Sequence, residues 1–186
     1  MEIIQYQDKW IGAAVYRSVK KEFLKDATRP LNELCSEKVI MNIFKSDPVI
    51  SLKQIHAAAI SSLLAFKSKS NIAKNLGIEI LLRISSETQI ERALKKLGID
   101  ESAEEAGVCI ISEDYNELEE ARGMLSLRIG GVELSEEDLH DNNRVVRALE
   151  FYSIKDEDLK VIQAKNLYEA ALFLILEKIA TLDLYR

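Results

Sequence analysis

Few side chains in this sequence have the types and spacing that catalysis or metal binding requires. His56 and His140 are its only histidines, and neither has a second metal ligand three or four positions further along the chain, so no zinc site is expected. Cys35 follows Leu34 in a helical pattern and Cys109 lies in the apolar run "GVCIIS", which predicts buried, reduced thiols rather than a redox pair. No serine lies in a G-x-S-x-G pattern, and the single Gly-Gly pair lacks the spacing of a phosphate-binding loop. The residues therefore predict no catalytic centre, no metal and no cofactor.

Carboxylates are plentiful in one part of the chain. Residues 100–120 contain nine acidic and no basic side chains. Such a run usually forms a solvated surface. A metal site or an acid–base pair of carboxylates, and with it a small enzyme of unknown type, is the alternative.

A second charged stretch has the opposite sign. The formal net charge of the chain is -6, yet Lys67, Lys69, Lys74 and Arg83 are accompanied only by Glu79 over residues 67–83. Polar and apolar side chains alternate with these cations: Ser68, Ser70, Asn71, Ile72, Asn75 and Leu76. Single-stranded RNA is bound by this mixture, because cations contact phosphates, amides contact base edges and apolar groups support unstacked bases. A solvated loop is the alternative interpretation.

Hydrophobic periodicity predicts the elements that position these groups. Strands are expected at residues 9–16, 39–44, 77–85 and 107–112, and helices at residues 29–38, 51–67, 86–98, 113–125, 142–152, 156–163 and 166–184. Ser51 with Gln54, and Ser86 with Gln89, match the capping-box pattern at a helix start. Residues 127–135 are ambiguous and could form a hairpin at the Gly-Gly pair. The order predicts a single α/β or α+β domain over residues 1–186, with a small, mostly antiparallel or mixed sheet and a helical C-terminal part.

The last predicted helix is apolar on every side for two turns. Its apolar side chains include Leu172, Phe173, Ile175, Leu176 and Ile179. Such a helix packs on its own domain on one side and, on the other, contacts more of the chain or a partner protein. The stretch from Met124 to Leu127 could extend a partner surface. The longest apolar run, residues 170–176, is too short to span a bilayer, and no secretory leader is visible, so a cytosolic protein without membrane contact is expected.

The order of features in the middle of the chain resembles a known family. A helix around His56 precedes the basic Ser/Asn-containing stretch, then an apolar element beginning near Glu79, then Gln89-Ile90 opening a helix that closes with "ALKKLGI". This order resembles the small accessory subunit of the KEOPS complex, the archaeal and eukaryotic family that binds the p53-related protein kinase. The likeness is strong over residues 55–112, weaker over residues 143–184 and loose over the first fifty.

The resemblance implies a non-catalytic protein. KEOPS adds threonylcarbamoyl to the adenosine beside the anticodon of tRNA, and this family binds the kinase-like ATPase subunit of the complex and the single-stranded CCA tail of the tRNA. The catalytic threonylcarbamoyl-transfer subunit would be an indirect partner. A protein-interaction module that only assembles or activates the kinase-like subunit, without binding RNA, is the alternative.

The resemblance also implies roles for individual residues. Phosphate and base-edge contacts are expected from Lys67, Lys69, Asn71, Lys74 and Arg83, and a pocket for the terminal bases from Ile72, Asn75 and Gln89. The kinase-like subunit is expected to contact Leu172, Phe173, Ile175, Leu176 and Ile179. Met124 and Leu127 could extend this contact surface. The acidic stretch at residues 134–143 departs from the family pattern and is expected to lie away from RNA.

Overall fold

The computed structural model describes residues 1–27 and 38–185. The helix expected at residues 29–38 lies almost entirely outside these ranges, as does Cys35.

An antiparallel sheet forms the centre of the described fold. Its strands are β1 (Glu2–Tyr6), β2 (Lys9–Arg17), β3 (Val39–Lys45), β4 (Glu105–Ser112) and β5 (Val132–Glu133). The strand order is β1-β2-β4-β3, and β5 pairs with the end of β2 beyond β1. The central pair is in register with Ile11 opposite Ile111 and Ala13 opposite Cys109. The sheet and its helices form an α+β fold, which confirms the predicted class.

Helices cover both faces of this sheet. They are α1 (Lys21–Ala27), α2 (Leu52–Lys67), α3 (Leu76–Ser85), α4 (Ile90–Leu97), α5 (Tyr115–Ile129), α6 (Glu136–Leu139), α7 (Asn142–Phe151), α8 (Asp156–Lys160) and α9 (Leu167–Ala180), followed by a 3₁₀ turn (Leu182–Tyr185). Side chains of β2 alternate between two cores: Ile11 and Val15 pack with α2, α3 and α9, whereas Ala14 and Tyr16 pack with α1 and α5. Because both faces are covered, β4 is buried from Ala106 to Ser112 and reads as a continuous apolar run.

Residues 77–85 form a helix, so the strand predicted there is wrong. Asn75 is the N-cap of α3 and its Oδ1 accepts from the Ile78 N–H at 3.2 Å, while Ser86 ends the helix with a left-handed φ of 51°. Every residue from Glu79 to Ser85 is buried. A short helix surrounded by protein shows no amphipathic period, and its alternating isoleucines and leucines therefore resemble a strand.

Several local predictions have clear outcomes. Ser51 and Gln54 form the expected capping box of α2, but Gln89 caps α4 without a side-chain hydrogen bond, so the second capping box is absent. Asp114 caps α5, where its side chain accepts from the Asn116 N–H. The ambiguous residues 127–135 do not form a hairpin at the Gly-Gly pair, because Gly130 ends α5 at a φ of 60° and the next residues pair with β2. Strand β1 was not predicted.

Cys109 is the free cysteine of the described residues, and it is buried in β4. Burial raises the pKa of its thiol to about 12, so the sulfur is protonated and unreactive at neutral pH. This agrees with the structural role expected from the sequence. Among the described residues, no helix combines the length and the apolar character that crossing a membrane requires.

Buried His56 makes the stability of the fold depend on pH. Its side chain is 7% exposed, its Nε2 is buried without a hydrogen-bond partner, and its Nδ1 lies 3.5 Å from Glu2 Oε1. Burial lowers the pKa of His56, and the nearby Glu2 carboxylate opposes that shift only partly. The unfolded chain therefore binds a proton more readily below pH ~6.5, and stability falls as the pH is lowered.

We expect this histidine to lower the free energy of unfolding by at most about 1.2 kcal/mol between pH 7 and 5.5. Urea unfolding at the two pH values measures the loss. A His56→Met variant should show a smaller loss over the same interval, because methionine does not titrate. An identical loss in the variant would assign the pH dependence to other groups.

Candidate functional site

Six of the residues expected to bind RNA lie in one turn between α2 and α3. We call residues 67–75 the basic segment. Lys67, Lys69 and Lys74 are exposed there, and Asn71, Ile72 and Asn75 lie between or beside them. Lys69 has a left-handed φ of 56°, which turns the chain sharply after α2. The three cations are thus all exposed within nine consecutive residues.

The polar side chains of the basic segment fix its shape. Asn71 Nδ2 donates to the carbonyl of Ala73 at 2.9 Å, and Ser68 Oγ donates back to the carbonyl of Leu64 at 2.9 Å. Ile72 is half-buried and packs against the core beneath. The segment is therefore attached to the fold at both ends and in its middle.

A buried carboxylate holds the backbone of the basic segment. Glu79 is fully buried, and its Oε2 accepts from the N–H groups of Ile72 and Ala73, both at 2.8 Å. Its Oε1 is 3.1 Å from Nη2 of Arg83, one helical turn further along α3. The negative charge is thus balanced inside the protein and is not displayed to a ligand.

Arg83 does not belong to the exposed cations, and its expected phosphate contact is wrong. The side chain is fully buried on α3, where Nη1 donates to Ser61 Oγ at 2.8 Å and Nη2 donates to Asp183 at 2.9 Å and 3.1 Å. A guanidinium enclosed by two carboxylates and a hydroxyl is neutralised by the protein itself. Arg83 therefore connects parts of the fold and does not contact a ligand.

Gln89 is exposed but lies away from the basic segment. It follows the C-terminal end of α3, whereas the segment precedes the N-terminal end of that helix. Ten helical residues extend about 15 Å, so the structure does not bring Gln89 into a pocket with Ile72 and Asn75.

An apolar cleft adjoins the basic segment. It has a volume of about 440 Å³ and opens between α2, the start of α3 and one end of the sheet. Its lining includes Ile40, Leu63, Phe66, Leu76 and Ile111, with Lys9 and Lys38 also contributing. Phe66 and Leu76 directly flank the segment in sequence and could have been noticed there. Lys9 begins β2 and Lys38 immediately precedes β3, both far from the segment in sequence, and no local pattern indicates them.

The cations of this cleft are paired with acidic neighbours. Lys9 forms an ion pair with Glu113, and Lys38 Nζ lies 3.3 Å from Glu117 Oε1. Both pairs are at least partly exposed. Exposed ion pairs contribute little stability, so a phosphate can compete for these ammonium groups at small cost.

The residues expected on the partner surface of α9 separate into two sets. Leu172, Ile175 and Ile179 are buried in the protein's own core, so their expected partner contact is wrong. Phe173 is 47% exposed and Leu176 is half-buried. Only these last two present surface to a partner.

Met124 and Leu127 are exposed but lie on the other side of the sheet. They belong to α5, whose buried side chains pack in the core shared with α1, whereas α9 packs in the opposite core. The two residues therefore do not extend the α9 surface, and that part of the prediction is wrong. A different apolar groove, of about 400 Å³, borders α9 and is lined by Val146, Leu149, Ile154, Leu159 and Leu167 of α7 to α9.

The acidic run at residues 100–120 has structural roles at several positions. Glu105 pairs with Arg17 and Arg144, and Asp100 pairs with Lys45 at 2.5 Å. Hydrogen bonds from Lys45 and Ser102 lower the pKa of Asp100 to about 2. Within residues 1–27 and 38–185, no three histidine, cysteine or acidic side chains converge as metal ligands.

The fold and these surfaces define an α+β protein with two candidate binding surfaces, a basic segment beside an apolar cleft and an apolar groove along α9. Residues 16–183 match the family model described as kinase binding protein CGI-121. The chain is 30% identical over 159 residues to the regulatory protein Cgi121 of Methanocaldococcus jannaschii. The aligned region covers 82% of this chain and 90% of that protein. The chain belongs to the CGI-121 family, which confirms the resemblance found in the sequence.

Proposed function

We propose that this protein is a non-catalytic, regulatory subunit of the KEOPS tRNA-modification complex. In this role it binds the kinase-like ATPase subunit and holds the single-stranded CCA tail of the tRNA substrate. Family membership supports the kinase-like partner. The observation that supports RNA binding is the position of three exposed lysines in a fixed turn beside an apolar cleft.

The size and charge of the site suit a short single strand. The chain has a formal net charge of -6, so a long duplex would meet unfavourable charge over most of the surface. A tail of a few nucleotides needs only a few cations and apolar support for unstacked bases. Lys67, Lys69 and Lys74 provide the cations, and the cleft beside Phe66 and Leu76 provides the apolar surface.

The kinase-like subunit is assigned to the surface formed by α7, α8 and α9. Phe173 and Leu167 are 47% and 44% exposed on α9, and Val146 is 46% exposed on α7. Large apolar side chains exposed in this way are typical of a protein–protein contact. This surface and the cleft beside the basic segment share no lining residue, so we expect both partners to bind together.

The second candidate function is kinase binding without RNA binding. It is favoured by the family description, which names a kinase and no nucleic acid. In that case the basic segment is a solvated turn, and reversing its charges should change nothing measurable in tRNA binding.

Lys69→Glu is expected to weaken binding to tRNA by about tenfold at 50 mM salt, because it replaces an attraction to phosphate with a repulsion. The loss should be smaller at 200 mM salt, where counterions screen the contact. Fluorescence anisotropy with labelled tRNA measures it, and binding to the kinase-like subunit should stay unchanged.

Lys21→Glu is the matched control, since Lys21 is an exposed lysine on α1, on the other face of the sheet. It makes the same change in net charge at a distance from the segment. The same tRNA lacking its CCA tail should bind weakly to the unaltered protein. Equal losses of tRNA affinity in the two variants, or equal affinity for tRNA with and without its CCA tail, would contradict the proposed RNA site.

A further inference from the structure

We infer that Glu79 is a positioning residue for RNA binding: it holds the backbone of the basic segment through hydrogen bonds from the Ile72 and Ala73 N–H groups, with Arg83 as its buried counter-charge, and it does not touch the RNA itself. This inference rests on the proposed function of the basic segment. The only side chain in the described residues that accepts from the segment's consecutive Ile72 and Ala73 N–H groups is this carboxylate.

The two N–H groups lie at the centre of the binding segment. Ile72 and Ala73 stand between Lys69 and Lys74 in the chain, so the position of their peptides sets the spacing of the two ammonium groups. Both N–H groups point to a single oxygen, Oε2, at 2.8 Å. A charged acceptor makes stronger hydrogen bonds than a neutral one, and here it fixes the backbone before a ligand arrives.

Arg83 makes this arrangement possible. A fully buried carboxylate without a counter-charge is strongly disfavoured, and Nη2 of Arg83 lies 3.1 Å from Glu79 Oε1. The same guanidinium contacts Ser61 on α2 and Asp183 in the 3₁₀ turn after α9. The basic segment is thereby tied to the helix that precedes it and to the C-terminal turn of the protein.

Preorganisation is the reason that this network matters for binding rather than only for folding. A free turn with three lysines must lose conformational freedom when it binds, and that loss reduces affinity. A turn already held by Glu79 avoids this cost. Loss of the carboxylate should therefore weaken RNA binding even though every lysine is still present.

The test compares Glu79→Gln with Glu105→Gln. Both changes replace an arginine-paired carboxylate with an amide of the same shape, but Glu105 is at the end of β4 remote from the cleft and pairs with Arg17 and Arg144. Glu79→Gln should weaken tRNA binding by about tenfold or more. Glu105→Gln should bind tRNA as the unaltered protein does, although both variants lose stability.

Amide hydrogen exchange supplies the readout that a purely structural role would not change. Exchange at Ile72 and Ala73 should accelerate at least tenfold in Glu79→Gln, while amides of β2 and β4 keep their relative protection. In Glu105→Gln these two amides should keep their protection. Unchanged exchange at both amides in Glu79→Gln would overturn the inference, as would faster exchange with unaltered tRNA affinity.

Glu79→Asp keeps the inference testable if the glutamine variant does not fold. Aspartate preserves the charge facing Arg83 but is one methylene shorter, so it cannot reach both N–H groups. We therefore expect weaker tRNA binding and faster amide exchange at Ile72 and Ala73 in this variant too. Lys69→Glu is measured in parallel. If Lys69→Glu binds tRNA normally, the proposed RNA site is wrong. If Lys69→Glu binds tRNA weakly but both Glu79 variants bind it normally, only the positioning role of Glu79 is wrong.

Discussion

Ile175→Ala is expected to lower the free energy of unfolding by about 2–5 kcal/mol. Ile175 is fully buried on α9 and belongs to the core formed with α2 and α3. Removing three carbons leaves a cavity that close-packed neighbours fill only partly. Urea denaturation at neutral pH measures the change.

Phe173→Ala is the matched variant on the same helix. Phe173 is 47% exposed, so truncation should cost the fold much less than the change at Ile175. If the assigned partner surface is correct, Phe173→Ala should instead weaken binding to the kinase-like subunit, as seen by titration calorimetry. The reverse pattern, a stable Ile175 variant and an unstable Phe173 variant, would contradict the packing of α9.

Arg144→Met is expected to lower the free energy of unfolding by about 3–5 kcal/mol, because it breaks a buried ion pair from one side. Arg144 is 1% exposed, and its Nη1 donates to the carbonyls of Ser46 at 3.2 Å and Val49 at 3.0 Å. Its Nη2 pairs with Glu105. Methionine fills similar space but leaves two carbonyls and a carboxylate with fewer donors.

The effect at Arg144 should depend on pH. Burial acts to raise the pKa of Glu105, but hydrogen bonds and charge from Arg17 and Arg144 outweigh it and hold that pKa below its usual range. A lowered carboxylate pKa adds stability above the unfolded value, near 4.3, and this stability is lost as the pH falls through the folded pKa. The difference between the unaltered protein and Arg144→Met should therefore shrink below pH ~4. Arg147→Met, an exposed change on the same helix, should have little effect at any pH.

The parts of the fold that were predicted correctly carry their signals locally. Helix α2 has a capping box and an apolar stripe, and β2, β3 and β4 are apolar runs of strand length. Helix α3 was predicted as a strand because burial on all sides removes the helical period. Two local signals did favour a helix: Asn75 at the N-cap, and an acid and a base four residues apart at Glu79 and Arg83.

The candidate site shows the same division between local and tertiary information. The basic segment was found because its cations are neighbours in sequence. Lys9 and Lys38 were missed because only the folded sheet brings them to the cleft, and Arg83 was misassigned because sequence does not show which cation is buried. On α9 the sequence could not separate Ile175 from Phe173, since the helix is apolar all round and its orientation is set by packing.

The strand order has a consequence for synthesis of the protein. Strand β4 lies between β2 and β3, and Arg17 at the end of β2 pairs with Glu105 at the start of β4. At about 5–20 residues per second, the ribosome needs roughly 4–17 s to make the intervening residues 18–104. During that time the β1–β2 hairpin carries an unpaired inner edge, which is a template for pairing with other chains. Of the four strands β1 to β4, the inner strand β4 is made last, so the edge of β2 that pairs with β4 stays open to other chains until residue 112 has emerged.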